Sequence, residues 1–383
     1  MAVGALAPRR RRPEVYRRRR LTVLGLAAIV LLVPWCVSRD DDGDPDNRGT
    51  ATEAEPARGG CAETAAALPL RAQLALTLMV GVDGDTPAAA VALVEGAPRP
   101  GGLFVRGGRA IWDDRVLVSP PGDELPLLVA VDDEGGRVQP MEGVLDALPS
   151  AATLAEESPD RLLALGADRG AELRGLGINV VFGPVVDVGG GGGIGDRSFG
   201  TTSDVVISKA GAYAAGLQQA GILSVLKHFP GQGHADADTH DGPGAVPPLD
   251  LLRTSDLVPY GVLLTDRSSG VMVGHLDVPG LTEEGVPASL SPAAIGLLRG
   301  GYEFDGLVVT DDLAAMEAIL SRFTVPEAAE RALAAGADLV LLSQPADVEA
   351  VLDRLEEAVS LGRIPDRRLD AALARIVAVG CPP

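Results

Sequence analysis

The sequence predicts an α/β fold in which eight parallel strands close into a (β/α)8 TIM barrel. Three observations carry that expectation. Short apolar runs alternate with Ala-, Leu- and Arg-rich amphipathic segments, as repeated βα units do. The runs are apolar throughout rather than at every second residue, the pattern of a sheet buried on both faces. Acidic or basic residues follow five of the runs, and in a barrel the carboxyl ends of all strands converge on one face.

The chain begins with a different kind of segment. Residues 1–38 hold eight arginines and one acid, although the whole chain of 383 residues has a net charge of -20. Arg9–Arg12 and Arg17–Arg20 precede an uncharged apolar run at 21–37, at the short end of what spans a bilayer. Residues 1–20 read as a basic cytoplasmic segment and 21–37 as a transmembrane signal anchor. A cleaved signal peptide and a lipoprotein signal at Cys36 are the alternatives, but no A-x-A-like site closes the run and Pro34 and Trp35 precede the cysteine. The barrel is therefore expected outside the cytoplasmic membrane, anchored to it, or secreted if the segment is cleaved. Residues 38–60, rich in Asp, Gly, Pro and Thr and without apolar periodicity, read as a disordered acidic linker.

Residues 61–383 are expected to form the single catalytic domain. Its strand candidates are 76–82, 102–105, 127–131, 178–188, 222–226, 271–274, 307–309 and 339–342, and its clearest helix candidates 159–176, 203–219, 292–299 and 326–335. Hydrophobic content of 46% supplies the core. The acidic body argues against nucleic-acid binding. Cys61 and Cys381 bracket the domain, and in a closed barrel the first and last elements are neighbours, so outside the cytoplasm these two are expected to be bridged. A doubly wound open sheet is the competing architecture. The glycine run 189–193 lacks the dinucleotide and phosphate-binding patterns that would favour it, and reads as a loop or a flexible low-complexity insertion.

Chemistry concentrates at 227–240, K-H-F-P-G-Q-G-H-A-D-A-D-T-H. Three of the four histidines, His228, His234 and His240, lie there, as does Lys227, one of two lysines against thirty-one arginines. With so strong a bias toward Arg, a lysine at this place suggests a need for a compact ammonium rather than a planar fork. Asp132 and Asp133 follow the third strand, Asp187 the fourth, His275 the sixth, Asp311 and Asp312 the seventh.

The chain resembles glycoside hydrolase family 3, in particular its single-domain bacterial β-N-acetylglucosaminidases. The resemblance runs over about residues 64–375 and rests on V-D-D-E-G-G-R-V-Q from Val131, G-P-V-V-D-V from Gly183, I-G-D-R-S-F-G from Ile194, K-H-F-P-G, D-T-H from Asp238, V-M-V-G-H from Val271 and V-V-T-D-D-L-A-A-M from Val308. It implies a retaining, exo-acting β-N-acetylhexosaminidase acting on cell-wall, peptidoglycan-derived glycan, with Asp311 as nucleophile and a His240–Asp238 acid/base dyad. Asp132, Arg197, Lys227 and His228 then match residues that hold the sugar. No cofactor or metal is implied, the partner is a GlcNAc-containing carbohydrate, and a monomer is expected. A β-glucosidase, a glycoside phosphorylase of the same fold and a catalytically silent glycan-binding barrel are the alternative functions.

Two positions depart from the family pattern. Gln232 and His234 stand where relatives carry H-G-D after K-H-F-P-G, which bears on the loop's closing and on substrate preference. Among the other polar residues, Asp133 and Asp312 read as helix caps and His275 as a buried supporting histidine. Arg137 reads equally as a substrate contact or a structural ion pair. His234, Asp236, Asp238 and His240 alternate in a way that a metal cluster could use, but the spacing is unusual for zinc.

Overall fold

The computed structural model describes residues 60–113, 125–265, 268–344 and 346–381. The expected basic segment, the anchor at 21–37 and the linker up to residue 59 lie outside the described residues. Among those described, no helix is long and apolar enough to cross a membrane.

Ten strands form. They are β1 (Leu78–Val82), β2 (Gly102–Val105), β3 (Leu128–Val131), β4 (Val180–Val185), β5 (Leu223–Phe229), β6 (Gly244–Ala245), β7 (Gly270–Val273), β8 (Leu276–Asp277), β9 (Val308–Thr310) and β10 (Val340–Leu342). Eight of them make one parallel sheet in the order β10-β1-β2-β3-β4-β5-β7-β9. The two outer members, β9 and β10, meet through a parallel bridge between Val309 and Leu339 and through Asp338 N–H donating to the Val308 carbonyl at 2.8 Å. The sheet is thereby a barrel, as the alternation of runs and helical segments predicts.

The strands are apolar on both faces because each face has its own core. Met79, Phe104, Leu128, Ala130, Val180, Phe182, Val225, Met272, Val309 and Leu341 point into the barrel and pack as one cluster. Their strand neighbours Leu78, Val80, Leu103, Val129, Val181, Leu226, Val271, Val308 and Val340 point outward beneath the helices, the period of two that a pleated strand imposes. Phe104 and Phe182 stack across the interior with centroids 5.6 Å apart. Ala372 and Ile376 of the last helix, Asp366–Gly380, join the inner cluster. Arg375 of that helix pairs with Asp305, just before β9, so the helix covers the amino-terminal end of the barrel. The opposite end, where the polar residues follow the strands, is left for the loops.

Helices form where the amphipathic segments predict them, at Pro159–Gly175, Ser203–Gln219, Pro292–Gly296 and Val325–Ala335. Local capping fixes several starts: Ser158 accepts from the Arg161 N–H at 3.2 Å with Pro159 in the first turn, and Thr324 accepts from the Glu327 N–H at 3.4 Å.

The Cys61–Cys381 disulfide is present, with Cα atoms 6.6 Å apart and a sequence separation of 320. The first described helix, Gly60–Ala66, packs against the last, which brings the two ends together. Cross-linking so long a loop restricts the unfolded chain, so Cys61→Ser is expected to lower stability by about 2–4 kcal/mol. Thermal unfolding of wild type and variant, with and without reductant, checks this; two free thiols in the oxidised wild-type protein would refute the bridge.

Candidate active site

At the carboxyl end of the barrel the strand ends surround a cavity of about 250 Å3. Its wall includes Asp132, Arg197, Lys227, His228, His240 and Asp311, six of the seven residues singled out in the sequence. The seventh, Asp238, stands behind His240.

The floor is an ionic cluster between β3 and β5. Lys227 is buried, and its Nζ lies 2.5 Å from Asp132 Oδ1 and 2.6 Å from Glu134 Oε1. Arg197 grips Glu134 with both arms of its guanidinium, at 2.7 and 2.8 Å, and reaches His228 Nε2 at 3.4 Å. Burial alone would raise the Glu134 carboxyl, yet the charges of Lys227 and Arg197 hold it down to about 2. Burial works against the Lys227 ammonium too, but Asp132 and Glu134 keep its pKa above the ordinary value. A carboxylate depressed on folding stabilises fully above its unfolded pKa, and that stability is lost only as pH falls through its folded value. Glu134, with Lys227 and Arg197, therefore stays charged well into acid.

His228 is placed by Asp187, a residue that sequence reasoning noted only as an acid after the fourth strand. Asp187 is fully buried; Oδ2 lies 2.8 Å from His228 Nδ1, and Oδ1 accepts the N–H groups of His228 and Gln232 at 3.1 and 2.7 Å. One carboxylate thus fixes the end of β5 and the start of the loop after it. The sequence places Lys227 and His228 after the strand, whereas β5 runs on to Phe229. Its register against β7 shifts between Leu226 and Phe229, and consecutive residues both reach the cavity.

Asp311 leaves β9 directly, its N–H donating to the Val273 carbonyl at 2.9 Å. Burial pushes its carboxyl upward, but His228, His275 and Lys227 more than offset this, and the group lies below the usual carboxylate range. A side chain held ionised at the mouth of an otherwise apolar barrel is suited to nucleophilic work.

The loop after β5 carries the other half of the chemistry. Asp238 Oδ1 lies 2.8 Å from His240 Nδ1 and accepts the His240 N–H at 3.0 Å. Burial would raise the Asp238 carboxyl, but these contacts with His240 bring it below its ordinary value. The His240 side chain is 63% exposed, open to solvent where Asp311 is enclosed. Two contacts dock the loop on the segment that follows β9: Thr239 and His240 carbonyls accept the N–H groups of Ala318 and Glu317 at 3.2 and 3.4 Å. Sequence adjacency sets the Asp238–His240 pair, and this docking brings it to the cavity that Asp311 lines.

Other expectations are met or corrected. Asp133 is no helix cap but forms a buried two-armed ion pair with Arg169, at 2.6 and 3.0 Å. Asp312 does accept from the Ala314 N–H at 3.0 Å, as a cap of the following turn, and also receives the Ser343 N–H at 2.9 Å, tying β9 to β10. Arg137 takes the structural role, binding Asp196 at 3.0 Å and the Ile194 carbonyl at 2.9 Å. His275 is buried, with Ser289 Oγ at 2.7 Å and the Asp312 carbonyl at 3.0 Å, and burial lowers its pKa. The alternating His/Asp set diverges: His234 pairs with Asp256 at 2.8 Å, and Asp236 accepts the Ala245 N–H at 2.8 Å. Among the described residues no group of three or more His, Cys, Asp or Glu side chains is placed to hold a metal ion. The glycine run is a loop, as expected, and its backbone bonds to the loop after β5, Gly191 N–H donating to the Gly233 carbonyl at 2.8 Å.

Comparison with known proteins points to one family. The profile of the glycosyl hydrolase family 3 N terminal domain matches residues 112–379. The β-hexosaminidase LpqI of Mycobacterium tuberculosis is 43% identical over 384 residues, 94% of this chain and 97% of that protein. A solved family 3 glycosyl hydrolase from Mycobacterium smegmatis superposes with a TM-score of 0.76 at 48% identity, covering 82% of this chain and 98% of the other. A family 3 β-N-acetylglucosaminidase from a Paenibacillus strain does so with a TM-score of 0.75 at 32% identity, covering 82% and 62%.

Proposed function

The chain belongs to glycosyl hydrolase family 3 and is a glycosidase, and we propose that it acts as a retaining exo-β-N-acetylglucosaminidase on cell-wall glycan fragments. The observation that carries this reading is the shared cavity, with an ionised Asp311 on one wall and the Asp238-bonded His240 on another. A retaining glycosidase needs that pairing of carboxylate and proton donor.

In the first step the Asp311 carboxylate attacks the anomeric carbon. The glycosidic C–O bond breaks, and the leaving oxygen takes a proton from His240. With Nδ1 committed to Asp238, Nε2 is the nitrogen for that transfer. In the second step His240 takes a proton from water, whose oxygen attacks the anomeric carbon and releases Asp311. The imidazole is protonated at the start of the first step and neutral at the start of the second, and in neither form does it place a second anion beside the nucleophile. Asp132, Arg197, Lys227 and His228 hold the sugar's polar groups, and Glu134 holds the cations in place.

A cavity of about 250 Å3 fits one terminal sugar better than a continuous polymer, which favours muropeptide-like fragments over intact wall. The substrate reading draws on the β-hexosaminidase and β-N-acetylglucosaminidase named among the relatives. On the sequence alone, we place the barrel outside the membrane on its linker, where such fragments are made.

An aryl-glycoside panel, run with and without phosphate, tests the reaction class. The expected result is hydrolysis of β-N-acetylglucosaminides, with free sugar as product and no change on adding phosphate or a chelator. Preference for β-glucosides, sugar phosphate as product, or no turnover at all would replace the proposal.

A further inference from the structure

We propose that the glycine run Gly189–Gly193 is a seat that sets the position of the acid/base pair, with Gly193 and Arg137 as positioning residues. This rests on the reading of Asp238 and His240 given above and deepens it.

Asp238 uses one oxygen, Oδ1, for both of its contacts with His240. The other lies directly over Gly193: a Cβ at Gly193 would stand 2.0 Å from Asp238 Oδ2 and 2.4 Å from its Cγ. No side chain fits there while the carboxylate keeps its place. Gly193 also has φ +78, which glycine adopts without strain. The preceding residue repeats the pattern, since a Cβ at Gly192 would stand 2.5 Å from Ala235 Cβ. Gln232 donates through Nε2 to the Gly192 carbonyl at 2.9 Å and to Thr239 Oγ1 at 3.2 Å. The loop is thus bonded to the seat beside the residue that precedes His240.

Arg137 holds the seat from the other side. Its Nη2 donates to the carbonyls of Gly193 and Ile194, and its Nε pairs with Asp196. Arg137 belongs to the same segment after β3 as Asp132 and Glu134, the partners of Lys227. The sugar-holding cluster and the proton donor are therefore linked through the glycine run, and the distance between them depends on how closely the loop sits on Gly193. Displacement of a catalytic group by about 1 Å can cost ~10²-fold.

The test is Gly193→Ala, assayed on β-N-acetylglucosaminides with a poor and a very good leaving group and combined with Asp238→Ala. Wild-type thermal stability is the reference. On the poor leaving group kcat/KM is expected to fall by ~10², while the first step on the good one is spared. In the Asp238→Ala background the clash no longer exists and only the strain of φ +78 remains, so Gly193→Ala is expected to lower the melting temperature but to add no further loss of kcat/KM, the non-additivity of groups in contact. Gly242→Ala, with nothing within 4 Å of the added Cβ, is expected to behave as wild type. Arg137→Gln serves if Gly193→Ala does not fold; it is expected to show the same leaving-group split, and Arg137→Lys to recover part of the loss. Wild-type activity of Gly193→Ala, equal losses on both substrates, or an additive loss with Asp238→Ala would overturn the seat while leaving the dyad standing. An Asp238→Ala variant that is unimpaired on the poor leaving group would instead overturn the dyad itself, and the seat with it.

Discussion

Asp311→Ala is expected to lower turnover by about 10⁴-fold or more, because no covalent intermediate forms without the carboxylate. The barrel should survive the change. Asp311 contributes a half-buried charge whose desolvation opposes its attraction to His228, His275 and Lys227, and such charges at functional sites often add little to stability. Azide distinguishes a lost nucleophile from a general defect. In Asp311→Ala it can enter the vacated space and attack an activated substrate, giving the α-configured glycosyl azide and restoring turnover. Thermal stability close to wild type, with activity rescued in this way, is the expected outcome. Full activity of the variant, or a β-configured azide product, would place the nucleophile elsewhere.

The second large effect is on the proton donor. His240→Ala is expected to slow the reaction by ~10²–10⁴, the usual contribution of general acid/base catalysis. The loss should be uneven. A dinitrophenyl glycoside leaves without protonation, so its first step is spared and the glycosyl-enzyme accumulates, because His240 is still missing when water attacks. A burst followed by slow turnover is the kinetic form expected. Equal losses in the first step for good and poor leaving groups would exclude His240 as the acid.

Both predictions concern residues that were legible in the sequence, and for physical reasons. Strands buried on two faces leave uninterrupted apolar runs, and β1, β2, β3, β7, β9 and β10 appear within a residue or two of those runs. Barrel geometry then gathers whatever polar residue follows each run, which is why Asp132, Lys227, His228 and Asp311 line one cavity. The Asp238–His240 contact lies within one loop and depends on nothing distant.

What was not legible depends on long-range pairing. Glu134 and Asp187 look like ordinary acids in sequence; their roles arise only because Arg197, from the loop after β4, and Lys227 and His228, from β5, fold against them. Asp133 follows a strand as a cap would, and only folding brings Arg169 to it. The glycine run carries no periodicity and no side chains, so its use as a contact surface could not be seen until Asp238 was found above Gly193. The end of β5 differs from the expected one for a related reason: Lys227 and His228 look like loop residues in sequence, and their carboxylate partners come from the ends of β3 and β4.

The central claim, hydrolysis of a terminal β-linked N-acetylglucosamine by double displacement at Asp311, is tested most directly by proton NMR of the sugar at its first release. The account predicts that the β-anomer appears first and the α-anomer only later, by mutarotation. First release of the α-anomer would mean a single displacement by water, and would contradict the roles assigned to Asp311 and His240.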